Sequence, residues 1–230
     1  MKKILYLLLS NLFIFIIYPI IRFTNKKFYE KKILPSVINS TCNSRPIKYQ
    51  RKKVVPNAVG TVLEIGIGSG HNLQYYNSSK VSKIYGVDPS NELNKLAKDK
   101  ANKYNLDVDF IIASAEELPL DDNSIDTAVT TFSLCSIPDS QKALNEIYRV
   151  LKPSGKLIFS EHGLSPDKVV AVIQNGIEFF YPKISGGCHA NKDIPNLITN
   201  AKFNIDNLET MYLPGTQKFL GYNFWGTANK

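Results

Sequence analysis

Glu64, Gly66, Gly68 and Gly70, in the stretch VLEIGIGSGHNLQYY (62–76), alternate an acid and three glycines with apolar or small residues. A β-branched run ending in glycines reads as a buried strand that opens into a turn and a helix, a geometry that cradles nucleotides. Three ligand classes compete for such a turn. A phosphate loop needs G-x-x-x-x-G-K-[ST], and no lysine follows Gly70 nearby. A dinucleotide fingerprint needs a small residue where His71 stands, so that the helix can pack closely on the strand. What remains is acid-x-Gly-x-Gly-x-Gly. Glu64 aimed into the loop would repel a pyrophosphate and suit a ligand with a positive end. The following strand, KIYGVD, ends in Asp88, 18 residues beyond Gly70, where a carboxylate can accept both hydroxyls of a ribose.

The ligand thus joins a ribose to a cationic group without phosphate, a description that S-adenosylmethionine meets. Methyl transfer from it asks the protein mainly to hold two partners at near-attack distance and to exclude water. A base helps according to the nucleophile, least for a thiol. His162, at the end of a later strand, is the candidate catalytic base, against the alternative of a helix cap or a bond to Glu161. Ser133 stands at another strand end. Cys135 reads as small apolar packing, since nothing basic flanks it in sequence, and Cys188-His189 as part of a substrate-side loop. Three cysteines without C-x-x-C spacing argue against a disulfide framework and a structural zinc site, and no metal is expected.

These residues need elements to place them. Segments 61–66, 83–88, 108–113, 124–134 and 156–162 read as strands, with helices over 91–105 and 139–155 between them. Strands alternating with helices imply βαβ units, a parallel sheet and right-handed crossovers. A helix near 192–201 precedes two strand-like segments, FNIDNLETMYL and GYNFWGTA, that read as an antiparallel hairpin. The expected fold is α/β: a Rossmann-like, doubly wound, mostly parallel seven-stranded sheet with an antiparallel C-terminal hairpin, preceded by an N-terminal hydrophobic helix.

Charge divides the chain of 230 residues. Residues 1–53 carry 12 Lys/Arg against one acid, Glu30, and the rest carry 16 against 19. The overall +8 therefore belongs to the N-terminal arm, and the globular part is not a basic nucleic-acid binder. Ile4 to Ile21 is an uncharged run of 18 residues, about 27 Å as a helix. Bulky residues running straight to Arg22 favour a retained membrane anchor (1–22) over a cleaved signal peptide. Whether it spans the bilayer or lies in its interface stays open. A basic linker (23–53) would follow, its lysines holding the catalytic domain (54–230) on the cytoplasmic side and meeting anionic lipid.

Four motifs in order resemble the class I S-adenosylmethionine-dependent methyltransferases: EIGIGSG, GVDPS, SAEELPLDDNSIDTAV (114–129) and EIYRVLKPSGKLIFSEH (146–162). The resemblance covers residues 54–230. It implies S-adenosylmethionine as cofactor, held by Glu64, Gly66, Gly68, Gly70 and Asp88, with Ala115 and Glu116 at the adenine and Phe132 among the contacts. Within the class, GHNLQYY, LCSIPD, SEHG and GGCH are most similar to the membrane-associated, methyltransferase-like thiol S-methyltransferases. Ala190-Asn191-Lys192 departs from them where an arginine is expected nearby. TFSL (131–134) lacks the Asp/Asn-Pro-Pro-aromatic corner that amino-group methylation of adenine or DNA would want. The expected function is methyl transfer to a small lipophilic acceptor such as a thiol. Quinone or phospholipid methylation, and a non-catalytic cofactor-binding module, are the alternatives. Segment 164–190, rich in Val, Ile and aromatic residues, stands where a lid over the acceptor would be inserted.

Overall fold

The computed structural model describes residues 12–230. Its centre is a seven-stranded sheet: β1 (Gly60–Ile65), β2 (Val81–Val87), β3 (Val108–Ile111), β4 (Ile125–Thr131), β5 (Leu151–His162), β6 (Asn204–Tyr212) and β7 (Tyr222–Asn229). The order is β3-β2-β1-β4-β5-β7-β6. β1 to β5 are parallel, and β7 runs antiparallel between β5 and β6. The expected sheet and its C-terminal hairpin are both present.

Successive residues of a strand point to opposite faces, so strands covered on both sides read as continuous apolar runs. Leu63, Ala128, Leu157 and Phe159 pack on one face, and Val62, Val129 and Ile158 on the other. Among the described residues the α-helices of seven or more residues are α1 (Tyr18–Thr24), α2 (Leu34–Cys42), α3 (Arg45–Val54), α4 (Asn91–Tyr104), α5 (Ser140–Val150), α6 (Lys168–Ile177) and α7 (Ile194–Asn200). α5 presents Ala143, Leu144, Ile147 and Val150 to the first face, and α4 presents Ala97 and Ala101 to the second. Ser90, Asp139 and Asp167 cap their helices by accepting from backbone N–H groups one turn on.

Two expected elements come out differently. The glycine turn after β1 leads only into a single 3₁₀ turn, Leu73–Tyr75, and no α-helix lies between β1 and β2. α5 ends at Val150, and β5 begins at Leu151, which pairs with Ile125. Pro153 disfavours helical backbone before it, so the strand takes residues expected in the helix.

The N-terminal arm corrects the expected location. Residues 1–11, which include eight of the 18 residues of the apolar run, lie outside the described residues. Among the described residues no helix is long and apolar enough to cross a membrane. The described part of the run is a wide helical turn (Phe13–Ile17) followed by α1, and the chain leaves the helix at Asn25. This part lies on the protein itself. The Phe15 ring sits 5.9 Å from that of Phe180 and 5.6 Å from that of Phe219. Arg22 Nε donates to the Lys183 carbonyl at 3.2 Å. The reading of a membrane-anchored protein, with the orientation built on it, is thereby overturned.

Residues 23–53, expected as linker, are mostly helical. α3 buries Ile47, Gln50, Arg51 and Val54 along one face, while Lys52 and Lys53 stay exposed.

Candidate active site

In a doubly wound sheet the ligand crevice lies beyond the carboxyl ends of the strands, where the strand order reverses. Here that point falls between β1 and β4. The loop leaving β1 holds Gly66, Gly68 and Gly70 at φ +68°, +51° and +71°, a left-handed backbone that glycine adopts without strain. A Cβ at Gly66 would stand 2.7 Å from Ser133 Cβ, and one at Gly70 would stand 2.7 Å from Leu73 Cδ1. A Cβ at Gly68 would meet nothing closer than 3.9 Å, with Asp88 Oδ2 and the Gly66 carbonyl oxygen at that distance. This is an open cradle with a carboxylate beside it.

Asp88 is fixed by main chain. Gly68 N–H donates to Oδ2 at 3.0 Å, and Ser90 N–H donates to Oδ1 at 2.8 Å. Burial raises its pKa in spite of both donors. Each oxygen keeps a lone pair for a hydroxyl.

Glu64 is not on the loop surface. It is 2% exposed, with Oε1 accepting from Asn72 Nδ2 at 3.0 Å and Oε2 from the Tyr76 hydroxyl at 2.8 Å. Burial pushes its pKa up to about 7 against these donors and the nearby Arg51. Arg51, reaching in from α3, gives Nη1 to Asn72 Oδ1 at 2.7 Å and to Thr131 Oγ1 at 2.5 Å. Its guanidinium also lies 5.7 Å from the centre of the Phe132 ring. The cation that faces Glu64 is therefore Arg51, linked to it through Asn72. Sequence reading missed Arg51 because it sat in a run of basic residues. The signal available was the spacing of Ile47, Gln50, Arg51 and Val54, one helical face.

Phe132 has φ +55°, rare for a side-chain-bearing residue, and its N–H donates to the Ser160 carbonyl. Strain of this kind gathers at functional sites. Ala115 packs in the core beside Val87 and Leu134, and Glu116 accepts from Asp139 N–H at 2.7 Å, at the start of α5. The expected cofactor residues thus fall on the loops after β1, β2, β3 and β4, except Glu64, which lies within β1.

A second group of expected site residues lies at the ends of β4 and β5. Neighbours on a strand face opposite ways, so Glu161 and His162 separate. Glu161 accepts from Ser133 N–H at 3.0 Å, and burial raises its pKa to about 7. His162 Nε2 pairs with Cys188 Sγ at 3.0 Å, and its Nδ1 is buried without a partner. Burial alone would lower the His162 pKa, but Cys135 and Glu161 outweigh it and raise it. Cys135, which no basic residue flanks in sequence, stands beside His162 and Cys188 in space. The contact with Cys188 and burial push its thiol well above the ordinary range. His189 turns the other way, to Glu178.

Segment 164–190, expected as a lid, is tied down from several sides. Gln174 Nε2 donates to the carbonyls of Gly163, Ala190 and Phe219, and its Oε1 accepts from Ser165 N–H. Lys192 Nζ donates to the carbonyls of Leu134 and Ile137. The arm adds Tyr29, whose hydroxyl donates to the Ile184 carbonyl at 2.5 Å. α2 also reaches the glycine loop, with Asn39 Oδ1 accepting from Ser69 Oγ at 3.2 Å and pairing with His71 Nε2. Burial and nearby cations lower the His71 pKa to about 4, so the ring is neutral near pH 7.

A methyltransferase-domain family model matches residues 63–159. The thiol S-methyltransferase TMT1B of Rattus norvegicus is 36% identical over 174 residues, 74% of this chain and 70% of that protein. The ubiquinone/menaquinone biosynthesis C-methyltransferase UbiE of Rickettsia bellii (strain OSU 85-389) is 35% identical over 60% of this chain and 59% of its own length. The crystal structure of a SAM-dependent methyltransferase from Methanosarcina mazei superimposes with a TM-score of 0.59 at 25% identity, covering 74% of this chain and 92% of that one. The cradle, the Asp88 carboxylate beside it and these similarities together fit S-adenosylmethionine as the cofactor, and the chain belongs to the class I S-adenosylmethionine-dependent methyltransferases, in the methyltransferase-domain family that includes thiol S-methyltransferases.

Proposed function

We propose that this methyltransferase acts on a small, neutral, apolar acceptor, with thiols the first class to test. One observation carries the reading. His162, Cys135 and Cys188 meet at the carboxyl ends of β4 and β5, the same end of the sheet as Asp88 and the glycine loop. The segment that brings Cys188 there is aromatic and apolar, with Phe180, Tyr181 and Phe219 packed together. Similarity to a thiol S-methyltransferase supports the thiol class.

The cofactor, when bound, supplies a methyl group on a sulfonium. The work of the chain is to hold and to orient. Asp88 takes the ribose hydroxyls, and the backbone of Gly66, Gly68 and Gly70 admits the ligand closely. Ala115, Glu116 and Phe132 line the adenine side. Arg51, Asn72 and Glu64 keep the loop rigid from below. The lid and the arm exclude water, which strengthens every polar contact inside. His162 takes the acceptor's proton, a small demand for a thiol with an ordinary pKa near 8.5 and a larger one for a phenol.

A panel of acceptors tests this reading. Full-length protein with methyl-labelled cofactor should methylate lipophilic thiols and leave charged, water-soluble acceptors untouched. Quinone precursors form the second arm, on account of the similarity to UbiE. Turnover confined to charged acceptors overturns the proposal.

A further inference from the structure

We propose that Cys135, His162 and Cys188 form a binding site for one thiophilic divalent cation, Zn²⁺ being the type. Cys135 comes from the turn after β4, His162 from the end of β5 and Cys188 from the lid. Their two Sγ atoms and one imidazole nitrogen all lie within 4.8 Å of one another, and the His162 Nε2–Cys188 Sγ distance is 3.0 Å. Tetrahedral zinc, with Zn–S about 2.3 Å and Zn–N about 2.0 Å, sets its ligands roughly 3.5–3.8 Å apart. Shifts of about an ångström or less therefore convert the cluster into a ligand triangle.

The donor set selects the ion. Two sulfurs and an imidazole favour zinc over calcium or magnesium, which want oxygen. Binding releases one proton from each thiol to solvent, and the two thiolates balance the charge of the dication. Cys135 and His162 are 4% and 7% exposed, so bulk water competes little. The cysteine backbones are held as well: the Cys135 carbonyl accepts from His189 N–H at 2.9 Å, and the Cys188 carbonyl accepts from Ser185 Oγ at 3.1 Å. Three protein ligands leave the fourth tetrahedral position for a small molecule, as catalytic zinc sites do. A cation on Nε2 also fixes the proton on Nδ1, so a loaded site hands acceptor activation from His162 to the metal. Sequence spacing could not show this site, because its ligands sit at positions 135, 162 and 188.

Cobalt is the probe. Full-length protein, reduced and stripped of metal, is titrated with Co²⁺ in the absence of cofactor and acceptor, so the result does not depend on the substrate reading. One equivalent should bind, with sulfur-to-cobalt charge-transfer absorption in the near ultraviolet and visible bands of tetrahedral intensity. Zn²⁺ should bleach both. Cys188→Ser, on the lid, should abolish the sulfur band while circular dichroism stays unchanged, and Cys42→Ser should retain it. Cobalt bound without sulfur absorption, an unaltered spectrum in Cys188→Ser, or no binding by the folded and reduced protein would each overturn the site.

Discussion

Around Asp88 the bonds that set geometry end on main-chain atoms, Gly68 N–H and Ser90 N–H, both within the βα loops of one nucleotide-binding half. Around His162 they end on side chains brought from distant segments, with Cys188 from the lid and Cys135 from the turn after β4. The arm closes over both, through Asn39 at the glycine loop and Tyr29 at the lid. The difference teaches where each half is vulnerable. The cofactor half fails through backbone conformation. The half proposed for the acceptor should fail through the loss of single functional groups.

Gly66→Val gives the largest effect. It places a branched side chain at φ +68° and 2.7 Å from Ser133 Cβ, an atom held by the backbone. Cofactor affinity should fall more than a hundredfold, about 2.7 kcal/mol, as read by calorimetry. His162→Asn addresses the other half. It should lower kcat/KM for a thiol by about a hundredfold while the cofactor Kd stays within about twofold. An equal loss of cofactor affinity would merge the two halves and break the comparison.

Arg51→Met removes the donor shared by Asn72 and Thr131 and leaves the buried Asn72 Oδ1 unpaired, while Thr131 Oγ1 keeps Asn72 Nδ2 at 3.0 Å. Chemical denaturation should show a loss of about 2 kcal/mol. The effect of pH comes from two buried carboxyls. Glu161 and Glu64 have pKa values raised from 4.5 to about 7, mainly by burial. The folded chain holds these protons more tightly than the unfolded one. Their stabilising contribution is therefore complete below about pH 4.5 and is lost as pH rises towards about 7. Melting temperature should fall across that window, and the fall should be shallower in Glu161→Gln. A slope identical to that of the parent protein would contradict the buried carboxyl.

The central strands were legible because short segments rich in β-branched and apolar residues end in turn residues, as in TVLEIG and KIYGVD. The cofactor half was legible because a tight loop and a strand-end acid sit at fixed offsets in sequence. Glu64 was found but misplaced, since nothing local tells that Tyr76 and Asn72 close over it. Arg51 was hidden among lysines, and its burial depends on a tertiary contact with Thr131, 80 residues away. The cysteine–histidine cluster was illegible for the same reason. The apolar run at the N-terminus read as a bilayer segment because hydropathy does not distinguish lipid from an aromatic lid, and Phe15 meets Phe180 and Phe219 instead.

The most direct test is calorimetric titration of the full chain with S-adenosylhomocysteine, comparing Asp88→Ala with Cys188→Ser. If Asp88 holds the ribose and the lid cysteine belongs only to the acceptor half, the first variant loses at least tenfold in affinity, about 1.4 kcal/mol, and the second loses nothing. Unchanged binding in Asp88→Ala, or an equal loss in Cys188→Ser, would contradict the account.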